Sequence, residues 1–165
     1  MKIKSFVPLI AVFGTSFLIT ISLLKSFQIF MGISICLLAM LKLMDIEAFG
    51  TSYKKYDLIS SQFDSWIYIY PFFELIIGIS FLNYSPPSLI IFIALVLGIS
   101  GMISVFKSVY LDKLKLNCAC IGGYAKTPLG IISFIENLLM AIMSVLLLIK
   151  SVSYTHLTLP TKQPV

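Results

Sequence analysis

The sequence predicts an all-α integral membrane protein, and two observations carry that reading. Of 165 residues 59% are apolar and 12% charged, with a mean hydropathy of +1.03, far from the balance of a water-soluble domain. Apolar runs of 17 or more residues also recur along the chain. At about 1.5 Å per residue, each can cross a hydrocarbon core about 30 Å thick.

Five such runs fit. The first, Phe6 to Leu24, follows Lys2 and Lys4. It lacks a clear small-residue cleavage site and is followed at once by another span, so it reads as a retained helix rather than a signal peptide. Lys25 and Ser26 make a short hairpin, and the second span runs from about Phe27 to Leu43, with Lys42 and Asp45 at its end. In the polar stretch from Ile46 to Ser65, Phe49, Tyr53, Tyr56 and Phe63 recur at helical spacing with Lys54, Lys55 and Asp57 between them. That pattern predicts a short helix lying in the headgroup region. Trp66, Tyr68 and Tyr70 mark an aromatic belt where the third span begins. It runs to about Leu82 and contains Pro71 and Glu74. The turn Asn83 to Pro87 is built of helix breakers. The fourth span, Ser88 to Phe106, carries Gly98 and Gly101, which allow close helix packing. Pro128 opens the fifth, to about Ile149. Residues 1–151 form one membrane domain with no internal repeat.

Residues 152–165, VSYTHLTLPTKQPV, differ sharply from what precedes them. VSYTHLTLPT resembles the in-frame translation of a sequencing-library adapter, and the segment is set apart from the native chain on that ground. His156 is the one histidine, so no histidine chemistry is expected.

All twelve basic residues are Lys, and no basic stripe points to nucleic acid. With five crossings, the N-terminus and the connections after the second and fourth spans share one side of the bilayer. That side holds nine Lys (residues 2, 4, 42, 54, 55, 107, 113, 115 and 126), against Lys25 and Lys150 on the other. The positive-inside rule makes the nine-Lys side cytoplasmic, placing the protein as a multi-pass chain in a bacterial inner membrane.

Two groups of residues can carry chemistry. The first is Cys118-Ala119-Cys120, followed by Gly122 and Gly123, with Lys113, Lys115 and Lys126 nearby. Positive charge favours the thiolate, which is both the nucleophile and the soft-metal ligand. A disulfide between such close neighbours closes a small strained ring that is comparatively easy to reduce, which suits transfer better than stapling. The same pair can hold Cu(I) through two sulfurs; a closed zinc site wants four ligands. The plain alternative is two small loop residues. No cofactor is expected, and Cys36, inside the second span, is expected to serve packing.

The second group is Glu74 and Glu136, carboxylates inside apolar spans and costly enough there to need a partner. Each lies eight residues from its span's start, Trp66 or Pro128, hence about 12 Å from the same membrane face. They could meet there, as a proton or cation relay or as polar glue with Asn137 and Ser133 as accessory groups. Lys42 and Asp45, three apart, are expected to form a capping ion pair near that face.

The run Lys42, Asp45, Phe49, Tyr53, Tyr56-Asp57-Leu58, Tyr70-Pro71, Glu74 and Gly78, followed by Cys118-Ala119-Cys120, Gly122-Gly123, Pro128-Leu129 and Glu136-Asn137, resembles the MauE branch of the MauE/DoxX family of redox-associated membrane proteins. The resemblance covers roughly residues 27–149. It implies a four-helix DoxX-like bundle, here preceded by one extra N-terminal helix, and a link to thiol–disulfide chemistry. It further implies an accessory role, such as maturation of methylamine dehydrogenase, rather than a stand-alone enzyme. The implied partners are a glutaredoxin- or thioredoxin-like protein or a methylamine dehydrogenase subunit. A soft-metal or proton-coupled transporter and a non-catalytic assembly factor are the alternatives.

Overall fold

The computed structural model describes residues 7–23, 26–83, 85–112 and 130–157. Among them are six α-helices: α1 (Val7–Leu23), α2 (Phe27–Met44), α3 (Ile46–Tyr53), α4 (Ser65–Leu82), α5 (Ser88–Phe106) and α6 (Gly130–Leu157). The fold is that of an all-α membrane protein. Four helical stretches are long and apolar enough to cross a bilayer: Phe27–Met44, Ser65–Leu82, Ser88–Leu111 and Ser133–Ser151. The 17 residues of α1 form a shorter apolar helix packed on α2.

Local chemistry places the boundaries. The Ser26 carbonyl accepts from the N–H groups of Ile29 and Phe30, and that of Pro87 from Ile90 and Ile91, so Ser26 and Pro87 each seed the helix after them. Pro71 lies inside α4 and withholds one backbone N–H, a loss that neighbouring helices make tolerable at membrane depth. Beyond Phe106 the chain winds one looser π-helical turn over Lys107–Leu111. The helical backbone of α6 runs on through Leu157, which bears on the conformation of the segment after Ser151 and not on its origin.

The helices associate as two close pairs, α2 with α4 and α5 with α6. In lipid no hydrophobic driving force separates helix from solvent, so close approach at small residues and polar contacts do that work. Gly32 and Gly78 face each other across the first seam. A Cβ on Gly78 would stand 2.6 Å from Cys36 Sγ, 3.0 Å from the Cys36 nitrogen and 3.1 Å from the Gly32 oxygen. Gln28 closes the far end of the same seam, its amide donating to the carbonyls of Phe81 (3.0 Å) and Asn83 (2.6 Å) at the C-terminus of α4. In the second seam Gly98 lies against the backbone of Asn137 and Ala141. Outward faces carry Phe72, Ile76 and Ile79 on α4 and Val96, Ile99 and Ile103 on α5, an apolar exterior suited to acyl chains.

The connection between α2 and α4 departs from the expected surface helix. Only Ile46–Tyr53 is helical, and the chain then folds back through a series of turns. Phe49, Tyr53 and Tyr56 are buried against the bundle, whereas Phe63 is exposed. The anticipated belt divides in the same way: Tyr68 faces outward, Trp66 is half-buried and Tyr70 is turned into the core. Residues 66 and 70 share a helix face that 68 does not, and the inner face has aromatic partners waiting.

Candidate functional site

Lys42 lies in the last turn of α2, where a cation complements the helix dipole. Its expected partner was Asp45. Instead Asp45 caps α3, accepting the Ala48 N–H at 3.1 Å, while Lys42 turns inward and is 3% exposed. The reason is a division of labour: the orphan N–H groups opening α3 claim the nearer carboxylate, and an ammonium taken out of water needs a carboxylate at its own depth. Glu74 of α4 supplies it, with both carboxylate oxygens 2.6 Å from Lys42 Nζ. Oε1 of Glu136, on α6, stands 3.6 Å from the same nitrogen. The two glutamates, whose matched depth allowed them to meet, are brought together around an ammonium that hydropathy had assigned to the membrane surface. Lys42 leaves the count of nine surface Lys, making it eight against two.

This contact ties the two helix pairs to each other, since Lys42 and Glu74 belong to the first and Glu136 to the second. The ammonium also lies 5.3 Å from the Tyr70 ring centroid and 5.9 Å from that of Phe49, within the range of a cation–π attraction. Those rings belong to an aromatic cover. Phe49 stacks on Tyr53 at 4.8 Å, Tyr53 on Tyr70 at 4.9 Å, and Tyr56 meets Tyr53 edge-on at 5.4 Å. Burial, reinforced by the neighbouring Asp57 carboxylate, holds the Tyr53 phenol well above its ordinary range, so it remains a neutral O–H group at physiological pH.

Beneath the cover is a cavity of about 20 Å³ lined by residues that include Lys42, Tyr53, Asp57, Ser133, Glu136 and Asn137, room for roughly one water. Asn137 completes the α5–α6 side: its amide donates to the Ser133 carbonyl at 2.8 Å and packs on Gly101. Among the described residues no group of three or more His, Cys, Asp or Glu side chains is placed to hold a metal ion.

Asp57 is the fixture that sequence reasoning missed as such, treating it as one charge among the aromatics. It is 3% exposed. Oδ2 accepts the N–H groups of Ile59 (3.1 Å) and Ser60 (2.7 Å), and Oδ1 accepts the Ser104 hydroxyl of α5 at 3.2 Å. Ser108 donates to the Tyr56 carbonyl at 3.1 Å. Together these clamp the cover to α5 and the π-helical turn that follows it. The available signal was Asp57-Leu58-Ile59-Ser60, an Asp followed by a turn whose N–H groups it can accept. Asp57→Ala removes three acceptor contacts to a charged group and is expected to cost about 1–3 kcal/mol, with Ser104→Ala costing about 1 kcal/mol. Denaturation in detergent followed by the fluorescence of Trp66, the single tryptophan, measures both.

Cys118 and Cys120 fall outside the described residues. The described chain ends beyond α5 at Asp112 and resumes at Gly130, and by antiparallel connectivity both points lie at the end of the bundle where α2 terminates and α4 begins. Cys36 is a free, half-buried thiol at the α2–α4 seam.

The family model described as Methylamine utilisation protein MauE matches residues 9–150, and the chain belongs to that family. No curated protein and no solved structure matches it.

Proposed function

We propose that this member of the MauE family is a membrane accessory protein that exchanges thiols and disulfides with a soluble partner, with Cys118 and Cys120 as the exchanging pair. The observation that carries the reading is the Cys118-Ala119-Cys120 spacing beside Lys113, Lys115 and Lys126, in the connection between two helices whose facing ends belong to the Lys42 site. The family description supports a role in methylamine utilisation; the proposed partners are a methylamine dehydrogenase subunit as the protein matured and a glutaredoxin- or thioredoxin-like protein as the redox partner. By the Lys count this face is cytoplasmic.

The step is thiol–disulfide exchange. One thiolate attacks a disulfide sulfur of the partner, forming a mixed disulfide and releasing one partner thiolate, which takes up a proton. The second cysteine, giving up its own proton, attacks the first and releases the other partner thiol. The partner is thereby reduced by two electrons and the Cys pair oxidised by two; a dithiol protein restores it by the reverse exchange. Lys42, Glu74 and Glu136 bring α6 to the α2–α4 pair and take no part in the electron count.

Alkylation of the intact membrane protein is expected to reveal a disulfide that forms and is reduced reversibly. The Cys118→Ser, Cys120→Ser double variant should abolish both this cycling and partner maturation. Maturation unchanged in the double variant overturns the reading. Cu(I) binding that is lost in the same variant, without redox cycling, replaces it with soft-metal transport.

A further inference from the structure

The Lys42 site holds more acid than base. Among the described residues around it, the single ammonium is that of Lys42 on α2; Glu74 from α4 and Glu136 from α6 approach it, and Asp57, from the segment after α3, lines the same cavity. The phenols of Tyr53 and Tyr70 are uncharged, and α5 contributes Gly101 and Val105. Asp57 has its own donors, two backbone N–H groups and the Ser104 hydroxyl. Lys42 is committed to Glu74 through both oxygens. Glu136 is left at 3.6 Å from the ammonium, beyond hydrogen-bond reach, with a side chain 15% exposed.

A full negative charge on Glu136 would lie in a low-dielectric interior with its compensating cation already engaged, a costly state. Some cation must neutralise it, and the cavity beside it limits which. At about 20 Å³ the space admits roughly one water and neither an organic amine nor a hydrated metal ion. A proton fits. We propose that Glu136 is a proton-binding site of this protein, carrying a bound proton at neutral pH and exchanging it through the cavity.

The location gives that proton a consequence. Glu136 is carried by the α5–α6 pair, whereas Lys42 and Glu74 belong to α2–α4. Loss of the proton makes Glu136 a competitor for the Lys42 ammonium, so the proton's presence sets how the two helix pairs share one cation.

Infrared spectroscopy of the full chain in lipid nanodiscs reads the group directly. At neutral pH the wild-type protein should show the carbonyl band of a protonated carboxylic acid, shifted to lower frequency in heavy water. Glu136→Gln should remove that band, and Glu136→Asp, which keeps a carboxyl, should move it. Either variant suffices to assign the band. Its absence from the wild type, or a band unmoved by the substitutions, overturns the proposal. Neither result depends on the Cys pair, so this test and that of thiol exchange fail independently.

Discussion

Replacing Lys42 with Met is expected to destabilise the folded protein by about 3–5 kcal/mol, the cost of breaking a buried ion pair by removing one partner. Most of the side chain's length and apolar bulk is kept, so the loss is chiefly one of charge. Glu74, 3% exposed, loses its only cation contact among the described residues, and Glu136 loses the charge 3.6 Å away. Thermal denaturation in detergent should show a clearly lowered Tm. The second half of the experiment separates charge from packing. Adding Glu74→Gln to Lys42→Met removes the stranded carboxylate, and an uncharged pair of similar volume should recover most of the lost stability. If the double variant is as unstable as the single one, the ammonium is acting through its packing and its contacts with the Tyr70 and Phe49 rings, and the ion-pair account is wrong. A single variant as stable as the wild type would show that neither matters.

Lys42 also shows what could be read from the chain without its fold. Hydropathy locates spans because an apolar run is a local property. The second run was placed at Phe27 to Leu43 and the helix is Phe27–Met44; the fourth was placed at Ser88 to Phe106 and matches α5. Glu74 and Glu136 stood out for the same local reason, as carboxylates inside such runs, and counting residues from each span's start placed them at one depth. Lys42 was paired with Asp45 at the membrane face instead, because a lysine near the end of a span ordinarily extends its ammonium to the interface. What turns it inward is the presence of Glu74, 32 residues away in sequence, a non-local cause that no window around Lys42 contains. The aromatic stretch misled in a related way. Helical spacing of Phe49, Tyr53 and Tyr56 correctly announces one apolar face but is silent on whether lipid or protein covers it. The stack with Tyr70 decides that, and it exists only after α2 and α4 have paired.

That pairing rests on the Gly32–Gly78 approach, and Gly78→Val is expected to give the second large effect. Two of the three atoms that its Cβ would meet are backbone, the Cys36 nitrogen at 3.0 Å and the Gly32 oxygen at 3.1 Å. The Cys36 thiol can rotate away; the backbone of α2 cannot. The helices must therefore move apart, at a cost of about 1–3 kcal/mol or more for overpacking. Glu74 lies four residues before Gly78 on the same face of α4, so a shift at the glycine carries the carboxylate away from Lys42 and adds part of the ion-pair loss. Gly14 in α1 provides the control, since a Cβ there would meet nothing within 4 Å. Gly14→Ala should gain about 0.5–1 kcal/mol from helix propensity alone. A lowered Tm in Gly78→Val beside an unchanged or raised one in Gly14→Ala ties the effect to the seam. Equal losses in both would mean that glycine flexibility, rather than helix approach, is what the sequence preserves. A double-mutant cycle between Gly78→Val and Lys42→Met then tests the mechanical link: if separating the helices already weakens the ion pair, the two losses combine to less than their sum.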